Sequence, residues 1–137
     1  AILDAVNRAQ RSIRFMAFSF TVDPIEQAIE RRAAAGVSVS GIFETTGSET
    51  QFSALRALLC AGIPVRQDGN PFVLHHKVFI IDDQTVLTGS FNFSENAARS
   101  NDENLVIITD ADLAALYNAE FERRWAEARI PARITCQ

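Results

Sequence analysis

His75-His76-Lys77-Val78-Phe79-Ile80-Ile81-Asp82, with Gly89-Ser90-Phe91-Asn92 shortly after it, carries the strongest structural signal in this chain. Residues 73–82 are rich in β-branched and apolar side chains, the composition of a buried strand. Thr85 to Leu87 reads as the return strand after an Asp82-Asp83-Gln84 turn. Side chains alternate faces along a strand. His75 and Lys77 therefore share a face with Phe79 and Ile81, and His76, Val78, Ile80 and Asp82 point the other way. Ser90 and Asn92 share one parity and can be aimed at the same point, and Gly89 admits close approach of backbone. An imidazole, an ammonium, a hydroxyl and an amide around one point suit a phosphoryl group: one nucleophile or acid/base and three donors. Lys77 is the sole lysine among 13 basic residues, and His75 and His76 are the only histidines. A chain that otherwise uses arginine has placed a compact, flexible ammonium here.

These residues resemble the HKD motif of the phospholipase D superfamily. His75, Lys77, Asp82, Gly89, Ser90 and Asn92 meet every spacing of that motif, six fixed residues within a span of 18. A solvated lysine beside a core histidine would explain the first half of the pattern, but not the Gly-Ser-x-Asn tail. The likeness extends to Ser12 to Thr21, similar to an early core strand of such domains. It also includes Asn101-Asp102-Glu103-Asn104, similar to the acidic segment that introduces the next strand.

Residues 1–137 are expected to form a single phospholipase D-like domain, large enough for one core. A hydrophobic share of 47% and a charged share of 22% are those of an ordinary globular protein. The net charge of −4 argues against a broad basic surface for nucleic acid, but not against a local phosphate site. No apolar stretch is long enough to cross a bilayer and no signal peptide is visible, so stable membrane insertion is not expected and the cytoplasm is slightly favoured. Two histidines and two distant cysteines make no metal cluster. Cys60, in an apolar run, is expected to be a small core residue, and Cys136 has no assigned role.

Along the chain, a helix spans about residues 4–11 and a strand 12–20. Asp23 is the expected cap of a helix that has Pro24 at its first position and is stopped by Gly36. Strand 37–43 follows. Thr46 and Glu49 form an expected capping box for helix 51–61. Short strand 63–66, the motif hairpin, a Ser94-capped helix 95–99, strand 104–109 and a helix from about 110 to 128 complete the order. The last helix carries Leu113, Leu116, Tyr117, Phe121 and Trp125 as a core stripe. This predicts an α/β fold, a mixed and largely parallel sheet with helices on both faces. The resemblance implies a further strand before the first helix, which this chain starts too late to contain.

The resemblance also implies the chemistry: a metal-independent phosphodiesterase working through a covalent phosphohistidine, with no cofactor. His75 would be the nucleophile, and Lys77, Ser90 and Asn92 would hold the phosphate oxygens. Glu103 would orient the imidazole. Asp82 and Gly89 are structural members of the motif, Asp82 by its opposite parity. Such a reaction needs two imidazoles, and one chain presents one. The expected working unit is a homodimer, or this piece paired with a second HKD half of a parent protein. A nuclease-like hydrolase is the leading expectation, with nucleic acid favoured over lipid. The acidic, polar stretch from Glu44 to Thr50 departs from the basic loop expected of nuclease-like relatives. Phosphatidyl transfer and a non-catalytic dimerisation or nucleic-acid-binding domain are the alternatives.

Overall fold

In a computed structural model, which describes residues 1–50, 53–90, 92–94 and 103–136, alternate side chains of each strand go to opposite faces of one sheet. The elements are α1 (Ile2–Arg8), β1 (Ser12–Ala17), α2 (Asp23–Ala34), β2 (Ser38–Phe43), α3 (Leu55–Cys60), β3 (Val65–Gln67), β4 (Lys77–Ile81), β5 (Thr85–Gly89), β6 (Leu105–Thr109) and α4 (Ala111–Glu127). The strand order is β3-β2-β1-β4-β5-β6. The β3-β2-β1 half is parallel and every pairing from β1 through β4 and β5 to β6 is antiparallel, so the sheet is mixed.

One face packs against α1, α2 and α3. Ile13, Phe15 and Ala17 of β1 meet Val39 and Phe43 of β2 and Phe79 and Ile81 of β4 there, covered by Val6, Ile29 and Leu58 from the helices. Five phenylalanines, Phe15, Phe20, Phe43, Phe79 and Phe93, form its centre with ring centroids 4.7–6.2 Å apart. Mutual edge and tilted contacts at such distances add to the gain from area burial alone. Gly41 is required beneath them, because a Cβ there would collide with the Phe15 ring. The opposite face carries Met16, Ile42, Val78, Ile80 and Val86 against Ala114 and Phe121 of α4. The two-residue alternation read from the motif strand thus holds through β4.

Several boundaries differ from the sequence reading. The motif strand begins at Lys77, so His75 and His76 precede it. The β1 ladder ends at the Ala17–Lys77 pair, with one further bond from the Phe18 N–H to the His76 carbonyl. Asp23 is the first residue of α2, and Val22, without a side-chain bond, is its cap. The expected Thr46–Glu49 capping box is absent from α3, which starts at Leu55. Glu49 instead accepts a bond from the Gln67 side chain at 3.1 Å. Leu116 is 68% exposed and leaves the core stripe of α4. Asp110 caps α4 through bonds from Asp112 and Leu113. The expected helix over 95–99 lies outside the described residues.

The largest correction concerns the cysteines. Cys60 is not a free core residue: it forms a disulfide with Cys136, across a separation of 76 residues. Nothing in the spacing announces the pair. It depends on the tail folding back along β3, where Gln67 and Arg129 exchange two backbone bonds of 2.8 and 2.7 Å. Reduction, or Cys60→Ser, is expected to lower stability by roughly 2–4 kcal/mol through the freed loop of the unfolded chain. A thermal melt with and without reductant checks this, and an unchanged midpoint would refute it.

Candidate phosphoryl-transfer site

The motif hairpin is fixed at its far end by Asp82. Asp82 and Asp83 both adopt left-handed backbone, with φ of 54° and 57°, which closes the turn between β4 and β5. The Asp82 carboxylate accepts bonds from the backbone N–H groups of Gln10, Arg11 and Ser12, at 2.6–3.1 Å. It clamps the start of β1 to the hairpin, at the end remote from His75. Burial alone would raise its pKa. The Ser12, Arg11 and Gln10 donors and the Arg11 charge outweigh burial and hold it below the ordinary carboxyl value. A depressed carboxyl stabilises the fold above its unfolded-state pKa, and that contribution is lost as pH falls through the folded-state value. Asp82→Asn is therefore expected to be less stable than the parent at neutral pH, with the gap closing in acid. Urea melts at the two conditions measure it, and a gap that widens in acid would contradict the linkage.

At the opposite end, the structure brings His75 and Lys77 together. Lys77 is buried, 7% exposed, whereas His75 is exposed. The Lys77 ammonium donates to the His75 carbonyl at 3.0 Å and stands 3.0 and 3.3 Å from Nδ1 and Nε2 of the imidazole. Burial pushes the Lys77 ammonium below its usual pKa, and the Glu103 charge partly opposes this. Phe18, at the end of β1, lies beside both groups: its ring centroid is 4.7 Å from that of His75 and 5.3 Å from Lys77 Nζ. The sequence reading did not assign Phe18 a role.

Ser90 follows β5 directly. Its N–H donates to the Asn104 side chain at 2.9 Å, and its hydroxyl accepts from the Asn104 N–H at 3.1 Å and donates to Glu103. Gly89 makes this approach possible, since a Cβ there would collide with the Asn104 carbonyl oxygen. Residues 103 and 104 therefore hold Ser90 in place. Glu103, the expected orienter of His75, accepts a hydrogen bond from the Ser90 hydroxyl, and its charge also reaches Lys77. Asn104, read from sequence as a strand-entry residue, is a second anchor of Ser90. Asn92 is half-buried, and its Oδ1 is buried without a partner among the described residues. Its segment is tied to the end of β1 by the Phe93 N–H to Ser19 and the Thr21 N–H to Phe93. Phe91, Asn101 and Asp102 lie outside the described residues.

His76 faces the other way. Its Nε2 is 3.2 Å from Glu120 of α4, which also binds Arg123 and Arg124. Burial lowers the His76 pKa, against the pull of Glu120. A groove of about 400 Å³ lined by His76, Thr88, Leu113, Leu116, Tyr117 and Glu120 opens on that side. Among the described residues no group of three His, Cys, Asp or Glu side chains could hold a metal ion.

A family model described as the cardiolipin synthase, PLD-like domain matches residues 2–125. The chain belongs to the phospholipase D superfamily of phosphodiesterases. This phospholipase D-like chain is 35% identical over 120 residues to a mitochondrial cardiolipin hydrolase of Xenopus tropicalis, covering 88% of this chain and 57% of the relative. It is 38% identical over 116 residues to a phospholipase D of Rickettsia bellii, covering 85% and 58%. The chain thus spans somewhat more than half the length of these relatives. Among solved structures, Nuc of Salmonella typhimurium, a phospholipase D family member, superposes with a TM-score of 0.89 at 37% identity, over 93% of this chain and 86% of that one. NucT from Helicobacter pylori, at 24% identity and a TM-score of 0.85, over 93% and 87%, shares the fold.

Proposed function

We propose that this phospholipase D-like domain cleaves phosphodiesters without a metal ion, through a covalent phosphohistidine on His75. The observation that carries the reading is the exposed His75 imidazole held against the buried Lys77 ammonium at the start of the central strand β4. In the first step an imidazole nitrogen attacks phosphorus, a P–N bond forms and the P–O bond to the leaving group breaks. A second imidazole donates the proton that the departing oxygen takes up. Water then attacks phosphorus and gives its proton to the second imidazole, the P–N bond breaks and both imidazoles are regenerated. Lys77, Ser90 and Asn92 are assigned to the non-bridging oxygens, where charge has to be held during in-line displacement. Glu103 and Asn104 act on the site by fixing Ser90. Because His76 is engaged by Glu120, the second imidazole is assigned to another HKD half, either a second copy of this chain or a further part of a parent protein. A two-fold axis beside the motif would duplicate every donor.

Nucleic acid is the substrate expected from the sequence, whereas the relatives and the surface beside the site favour a lipid phosphodiester. The names of the curated relatives support the lipid reading. So do Phe72 and Val73, 79% and 60% exposed just before His75. Among the described residues no helix is long and apolar enough to cross a membrane. The Cys60–Cys136 bond suits an oxidising compartment better than a reducing one, which shifts the localisation away from the cytoplasm.

The test is a chelator-containing assay of the purified chain on single- and double-stranded DNA, RNA, a chromogenic phosphodiester, and vesicles of phosphatidylcholine or cardiolipin. Turnover is expected to persist in EDTA and to fall on dilution as the paired unit separates. Complete loss in EDTA with rescue by a divalent cation would sink the phosphohistidine mechanism. Full activity of a dilute monomer would remove the two-imidazole model.

A further inference from the structure

We propose that Phe18 is a positioning residue of this site, its ring setting where the His75 imidazole and the Lys77 ammonium stand relative to one another. The inference rests on the roles proposed for His75 and Lys77. Two contacts of one ring carry it. The Phe18 and His75 rings are tilted by 52° at a centroid separation of 4.7 Å, and Lys77 Nζ lies 5.3 Å from the same Phe18 centroid. The Phe18 N–H donates to the His76 carbonyl at 3.0 Å, which roots the ring in the segment it serves.

Packing does not account for this side chain. The phenylalanines at 15, 20, 43, 79 and 93 all belong to the buried cluster of the sheet, whereas Phe18 is half-buried and belongs to neither cluster. An aromatic face attracts a cation, and an aliphatic side chain of similar volume does not. The ammonium has three donors. The His75 carbonyl takes one, the imidazole lies beside it, and the Phe18 ring limits the directions in which it can turn. The same ring lies against one side of the imidazole. Phe18 touches both groups without needing to touch the substrate.

The experiment compares Phe18→Leu with Phe18→Tyr, and uses Phe18→Met should the leucine variant not fold. Rates on the chromogenic phosphodiester are measured across pH, and nuclear Overhauser contacts between the His75 ring and the Lys77 side chain are followed by NMR. Phe18→Leu is expected to lower kcat roughly three- to tenfold with little change in KM. Its alkaline limb moves to lower pH, because losing the ring's attraction disfavours the charged form of Lys77. Phe18→Tyr keeps the aromatic face and restores both. A leucine variant that loses only thermal stability, with kcat and the alkaline limb unchanged, overturns the proposal, as does a tyrosine variant equally impaired. An inactive parent chain would instead overturn the functional reading. The NMR arm then decides alone: nuclear Overhauser contacts between the His75 ring and the Lys77 side chain that are lost in the leucine variant and restored in the tyrosine variant support positioning, and contacts retained in the leucine variant refute it.

Discussion

Replacing His75 with alanine is expected to abolish turnover, a loss of roughly 10⁴- to 10⁶-fold on the scale of nucleophile deletions in other hydrolases. No neighbour can substitute. Lys77 is charged and partly enclosed, and His76 is held by Glu120 on the opposite face of the sheet. His76→Ala is expected to keep activity within about tenfold and to lose stability, because Glu120 loses one of its three partners while both arginine pairs remain. Steady-state rates and melting curves of the two variants, each checked for folding, separate the outcomes. An active His75→Ala beside a folded but inactive His76→Ala would reverse the assignment.

Lys77→Met is expected to reduce kcat by about 10²- to 10³-fold, the scale of removing one electrostatic donor from a transition state. The methionine keeps the length and apolar character of the side chain, so the fold survives while the charge and its bond to the His75 carbonyl are lost. Lys77→Arg is expected to recover little. The guanidinium is planar and larger, and it cannot place a compact charge simultaneously at the His75 carbonyl and beside the imidazole. Single-turnover kinetics isolate the chemical step from binding. A Lys77→Arg chain working at the parental rate would show that any positive charge suffices and that the singular lysine has no special purpose.

The hairpin was legible because its signal is local and doubled. Alternation from Lys77 to Ile81 assigns faces without knowledge of the rest of the chain, and the Asp82-Asp83-Gln84 turn fixes the partner register. Asp82 lies away from His75 because it stands in the turn at the other end of the strand, with left-handed backbone. What escaped the sequence depends on contacts between distant segments. The Cys60–Cys136 bond exists because the tail returns along β3, which no spacing encodes. Glu103 and Asn104 meet Ser90 because β6 runs antiparallel to β5 and delivers residues 103 and 104 onto it. Phe18 was missed because the β1 ladder ends at Ala17, and beyond that point alternation no longer says where a side chain goes. A half-exposed aromatic at the end of a core strand was the one available signal.

The strand order has a consequence for how activity appears during folding. β4 and β5 are joined by a tight turn and can form early, and so can the β1-α2-β2 crossover. The seam between these two units is the β1–β4 pairing, whose partners, such as Phe15 and Phe79, are far apart in sequence. Closing such a loop is the entropically expensive step. The reactive group straddles that seam, with Phe18 on one side and His75 and Lys77 on the other. On the proposed mechanism, catalytic competence cannot precede this long-range docking, and pairing with the second HKD half has still to follow it. A refolding chain with only its local elements formed is chemically silent toward the phosphodiesters around it.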